Sequence, residues 1–140
     1  MVANKENLKE RYMEYQLLMQ QLQQLQQNVS DLEKHVVDLN SLADNLNSLN
    51  DSEADGETLM PLGSGIFVKG TLKDNKNIIM NVGANVCVEK TVPEAKGVVS
   101  KQLNEVGGVI KQIQDEINNT TIRLQELQSE FQNLREEELS

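Results

Sequence analysis

Residues 57–89 read ETLMPLGSGIFVKGTLKDNKNIIMNVGANVCVE, and their period decides the fold. Apolar side chains alternate at every second position: Ile66 and Val68 lead to Leu72 around Phe67, Lys69 and Thr71. The same alternation returns at Ile78, Met80 and Val82, and again at Val86 and Val88 around Cys87 and Glu89. A period of two is the signature of a strand, because successive side chains point to opposite faces. Gly63-Ser64-Gly65 and Gly83-Ala84-Asn85 interrupt the runs with residues that tolerate tight turns. The stretch therefore predicts two β-hairpins, separated by the polar turn Lys73 to Asn77.

So few strand residues cannot form a stable sheet alone. Two hairpins also leave unpaired backbone edges, which template association with other chains. Little blunts those edges beyond Pro61 and a few Lys and Glu residues. Oligomerisation through the strands is thus expected, with Leu59, Leu62, Ile66, Val68, Leu72, Ile78, Met80, Val82, Val86 and Val88 as the interface.

On both sides of this insert the period changes to seven. From Asn4, a plausible N-cap, to Asn50 the apolar positions are Leu8, Tyr12, Tyr15, Met19, Leu22, Leu25, Val29, Leu32, Val36, Leu39, Ala43 and Leu46. Two consecutive steps of three, from Met19 through Leu22 to Leu25, predict a stammer in the Gln-rich stretch Gln20 to Gln27. Ser30 and Glu33 imitate a capping box, but the period runs through them. From Pro93 onward Val99, Leu103, Val106, Ile110, Ile113, Ile117, Thr120, Leu124, Leu127, Phe131 and Leu134 alternate four and three without a slip. Thr91 and Glu94 form a capping box before this second helix, with Pro93 in the first turn where its missing N–H is harmless. Gly107-Gly108 predicts a soft point or bend in it.

Each helix would extend roughly 65–70 Å at 1.5 Å per residue. Nearly equal arms joined by a compact insert predict an antiparallel left-handed coiled coil. The expected fold class is α+β, mainly α. The expected organisation is a helix over 1–50, a linker over 51–56, two hairpins over 57–92 and a second helix over 93–140.

Composition narrows the function. Aromatic residues are 3% of the chain and Trp is absent, so a conventional globular core would be thin. The formal net charge is −9 with scattered basic residues, which opposes binding to nucleic acid or to an anionic membrane surface. Neither a membrane-spanning run nor a leader pattern is evident, and a single cysteine, Cys87, fits a reducing, cytoplasmic setting. Catalysis has little to work with: His35 is the only histidine and flanks a seam position, and Cys87 has no histidine within sequence reach. The acidic loop Asp51 to Glu57 is too short and irregular for a calcium loop. Gly63-Ser64-Gly65 precedes a strand, not the helix that a phosphate cradle requires. No catalytic, cofactor-binding or metal-binding residue is expected, and no cofactor.

The arm tips offer more. Antiparallel pairing brings Leu8, Tyr12, Tyr15 and Met19 beside Leu127, Phe131, Leu134 and Leu139. Two readings stand. These are seam residues, the expectation for Tyr12, Leu127 and Leu134, or the tips fray and present adaptable apolar surface to a partner. Glu136-Glu137-Glu138 at the unfavourable end of the helix dipole supports fraying.

The central segment resembles the prefoldin alpha-class subunit of archaeal type. The resemblance is carried by Glu57 to Gly70 with its Pro-x-Gly-x-Gly turn at 61–65, by Leu72-Lys73-Asp74, and by Ile79 to Val86 with its Val-Gly-Ala turn at 82–84. It implies a hexamer of two alpha and four beta subunits whose hairpins join a double β-barrel platform. It also implies ATP-independent capture of non-native client proteins by the arm tips and delivery to a group II chaperonin in the cytosol. The residues alone leave two rivals, a filament-forming prefoldin-like subunit and a coiled-coil tether between other proteins.

Overall fold

A computed structural model describes residues 2–52 and 56–139, with side-chain environments for residues 5–52 and 56–136. The order is helix α1 (Val2–Asp51), strands β1 (Glu57–Gly63), β2 (Ile66–Thr71), β3 (Asn77–Gly83) and β4 (Val86–Thr91), then helix α2 (Val92–Leu139). The chain divides into two compact units, Met1–His35 with Val106–Ser140, and Val36–Glu105.

In the first unit α1 and α2 pair antiparallel. Arg11 binds Glu130 at 2.7 Å, and Arg123 reaches back to Glu14 at 2.9 Å. Leu124 and Leu127 are buried here, and Leu127 is fully enclosed. The seam on α1 differs from the apolar pattern of the sequence. Among the half-buried or buried positions one continuous series runs Leu8, Arg11, Tyr15, Leu18, Leu22, Leu25, Val29, Leu32, Val36, Leu39, Ala43 and Leu46. That series alternates three and four throughout, so the expected stammer does not exist. Tyr12 and Met19 lie outside the seam at 56% and 41% exposure, and Arg11 and Leu18 replace them. Arg11 can sit there because its aliphatic stem packs on the seam while its guanidinium pairs with Glu130. On α2 the expected seam holds, with every position from Val99 to Leu134 half-buried or buried.

Asn4 is not the cap of α1, since the helix already runs from Val2. Across Ser30 and Glu33 the helix is unbroken. The start of α2 is capped as the sequence predicts: the Glu94 N–H donates to Thr91 Oγ1 at 3.3 Å, and the Thr91 N–H donates to Glu94 Oε2 at 3.4 Å. Helix α2 continues through Gly107 and Gly108, where an added Cβ would meet open space.

The second unit holds both hairpins and the remaining helical turns. Its buried apolar residues are Leu39 and Leu46 of α1 and Val92, Ala95 and Val99 of α2. β1 pairs with β2 and β3 with β4, both antiparallel, as two separate two-stranded sheets. Their registers are copies of one another. Glu57↔Thr71 through Pro61↔Phe67 recur twenty positions later as Asn77↔Thr91 through Asn81↔Cys87. Each hairpin then bulges by one residue, Leu62 and Val82, before Gly63↔Ile66 and Gly83↔Val86 close it. The turns follow suit. Ser64 and Gly65 have φ of 50° and 80°, Ala84 and Asn85 49° and 62°, so all four central residues adopt the left-handed conformation of a two-residue hairpin turn.

Even the hairpin bases repeat. The Leu72 N–H donates to the Gly56 carbonyl at 3.4 Å, and the Val92 N–H to the Lys76 carbonyl at 3.0 Å. Between the hairpins Asp74 Oδ1 accepts from the Lys76 N–H at 2.8 Å, and Asn75 Nδ2 donates to the Ser52 carbonyl at 2.6 Å. The backbone N–H of Lys76, then the amide of Asn77, hold the Asp74 carboxyl below its ordinary range.

Candidate functional site

Two surfaces stand out, one in each unit. The first is where the opening turns of α1 meet the closing turns of α2. Phe131 is flanked by two tyrosines, its ring centroid 5.7 Å from Tyr12 and 5.9 Å from Tyr15, both in inclined geometries favoured by aromatic pairs. The Tyr15 hydroxyl accepts from Gln128 Nε2 at 3.0 Å. Leu8, Tyr12, Phe131, Leu134 and Arg135 line a groove of about 240 Å³, mostly apolar. A second, more open groove is lined by Tyr12, Tyr15, Gln128, Phe131, Gln132 and Arg135.

Ion pairs brace this end. Arg123 forks onto both Glu14 oxygens and also touches Glu126 at 3.2 Å. Its hydrogen bonds, first among the causes, keep the Glu14 carboxyl below the usual carboxylate range, and those to Glu14 and Glu126 raise Arg123 further. Charges thus cross-link the two helices here, while the side chains of Glu137 and Glu138, on which the frayed-tip reading leaned, lie outside the described residues.

Of the eight residues expected at the tip, Leu8, Tyr12, Tyr15, Phe131 and Leu134 come together around these grooves. Met19 is exposed but lines neither. Leu127 must be withdrawn as a contact residue, because a side chain with 0% exposure has no surface to offer. The side chain of Leu139 lies outside the described residues. Sequence reasoning passed over Met13 and Leu17, exposed by 61% and 56%. They break the heptad, and that is the one signal that could have marked them.

The second surface is the pair of hairpins. Leu59, Leu62, Ile66, Val68, Val82 and Val86 of the expected interface are exposed, while Leu72, Ile78, Met80 and Val88 are half-buried. Met60, Phe67 and Ile79, not in that set, are exposed as well, Ile79 by 78%. Apolar side chains therefore project from both faces of the ribbons. A one-sided alternation predicts only half of them. Met60 also lies across Gly70, whose missing Cβ makes room for the methionine's methyl group. Cys87 and His35 are exposed. Among the described residues no helix is long and apolar enough to cross a membrane.

The family model described as "Prefoldin subunit" matches residues 18–137. The chain belongs to the prefoldin family. Prefoldin subunits called alpha are among its relatives, and this chain with its two hairpins is of that class. It is 32% identical over 82 residues to prefoldin subunit alpha of Pyrococcus horikoshii, covering 59% of this chain and 55% of that one. It is 30% identical over 105 residues to prefoldin subunit alpha 1 of Thermococcus kodakarensis, covering 75% and 72%. The match thus spans little more than half the length of the Pyrococcus prefoldin. Its fold is similar to that of the filamentous PFD from Methanocaldococcus jannaschii, solved by cryo-EM. The TM-score is 0.73 at 18% identity, over 82% of this chain and 95% of that one.

Proposed function

We propose that the chain is a non-enzymatic subunit of an ATP-independent holdase. In this reading it captures non-native proteins at its arm end and passes them to a group II chaperonin in the cytoplasm. The observation that carries the proposal is the half-open aromatic cluster of Tyr12, Tyr15 and Phe131 beside an apolar groove. Leu8 and Leu134 extend the apolar lining, and Met19 adds adaptable surface nearby. One such surface binds weakly, and several held on one particle combine into useful avidity.

The hairpins supply the particle. Strands with apolar side chains on both faces are unstable in water as isolated ribbons, and burial against other hairpins resolves this. The proposed partners are beta-type prefoldin subunits, two alpha with four beta, whose strands would complete a β-barrel platform. Partners for nucleic acid or membrane are not proposed, given the net charge of −9.

Dilution of a chemically denatured protein into the assembled complex tests capture. Light scattering should be suppressed without ATP, and Tyr12→Ala with Phe131→Ser should weaken that suppression while leaving the particle's mass unchanged. Unaltered suppression by the double variant would remove the arm end from the mechanism. A filament is the second reading, because the structural neighbour is itself described as filamentous. Electron microscopy of the chain with and without a beta-type partner separates the two.

A further inference from the structure

The two grooves at the arm end share more than Phe131 and Tyr12. Arg135 lines both, and it is the one charged side chain among the residues described as lining them. Of the other charged groups at this end, Arg11 pairs with Glu130 and Arg123 with Glu14 and Glu126, while Lys9, Glu10 and Glu136 line neither groove. Among the residues whose side chains are described, Arg135 has no carboxylate within 4 Å. An exposed arginine on the lining of an apolar groove can receive a planar anion beside an apolar group.

Size points the same way. An apolar cavity of about 150 Å³ is enough to hold a benzene ring. The groove of about 240 Å³ therefore admits one aromatic or leucine side chain and leaves its mouth open. We infer that the arm end prefers extended peptide segments in which a bulky apolar residue is followed closely by an aspartate or glutamate. This deepens, and rests on, the reading of the arm end as the capture surface.

The net charge of −9 repels such a segment at long range. Yet at physiological salt the screening length is about 8 Å, so charges far along the arms are muted, and Arg135, the charged residue that lines the grooves, acts against the nearer Glu136-Glu137-Glu138 run. At low salt the distant carboxylates count again, and the preference narrows.

Three fluorescein-labelled dodecapeptides test this, each with a central Leu-Phe followed by two Asp, two Ser or two Lys. Their binding to the full chain is followed by fluorescence anisotropy near physiological salt. The Asp peptide should bind roughly three- to fivefold more tightly than the Lys peptide, the upper part of the range of an exposed ion pair. Arg135→Gln should erase that ratio while the Ser peptide binds as before, and Phe131→Ala should weaken all three. Equal affinity for the three peptides, or a ratio that survives Arg135→Gln, overturns the preference and leaves capture standing. Binding that Phe131→Ala does not weaken, or no binding at all, overturns capture at this end and the preference with it.

Discussion

Arg123 grips Glu14 with two nitrogens of its guanidinium, Nε at 2.9 Å and Nη2 at 3.2 Å, across the pair of helices. A bidentate fork fixes distance and angle together, so the contact positions one helix turn against another rather than merely attracting it. The pair is half-exposed on both sides, and its worth is geometric more than energetic.

A pH dependence follows from it. The Glu14 carboxyl is depressed in the folded chain, so its stabilisation is complete above the unfolded glutamate value of about 4.3. It is lost as pH falls through the lower, folded value. Glu14→Gln removes this contribution. The variant should melt below the wild type near neutral pH, and the gap should close on acidification. Calorimetry on both proteins checks this; a gap that widens in acid contradicts the assignment.

Ala84 carries a φ of 49°, a left-handed conformation that costs a residue with a Cβ roughly 1–2 kcal/mol. Ala84→Gly should stabilise the β3–β4 hairpin by about 1 kcal/mol. Gly83→Ala, at a φ of 119°, should do the opposite. Amide exchange in β3 and β4 reads both.

Gly107 and Gly108 are helical, and an added methyl would touch nothing within 4 Å at either. Each change to Ala should raise helix stability by roughly 1 kcal/mol. If the double variant is more stable yet captures clients less well, the glycines are retained for pliancy. Thermal melting and the scattering assay together report this.

Phe67 and Ile79 are exposed by 56% and 78% on ribbons of two strands each. Phe67→Asp with Ile79→Asp should release single chains, seen as a fall in mass by light scattering after size exclusion. Helical circular dichroism should stay close to the wild type. An unchanged mass would place the assembly contact elsewhere.

Much of the architecture was legible because glycine and period speak locally. Gly63 and Gly83 marked both hairpins, and Thr91 with Glu94 marked the first turn of α2. The α1 seam was misread because hydropathy favours Tyr12 over Arg11, and only the cross-helix partner Glu130 reveals why arginine belongs there. The twenty-residue repeat stayed hidden because it survives in backbone register more than in side chains. Pro61 stands where Asn81 does, and Phe67 where Cys87 does. Of the proposed capture surface, the residues were legible but their exposure was not. Leu127 and Phe131 share one periodic stripe, yet one is enclosed and the other lines two grooves.

The crossed pairs Arg11–Glu130 and Glu14–Arg123 also discriminate between alignments that the leucine stripe alone would accept. Slide α2 by seven residues one way and Arg11 faces Arg123 while Glu14 faces Glu116. Slide it the other way and Glu14 meets Glu130, although Arg11 then faces Glu137. Either misthreading keeps its apolar contacts and acquires a clash of like charges. A chain whose seam repeats so evenly thus carries its own proofreading at the end where α1 begins and α2 closes.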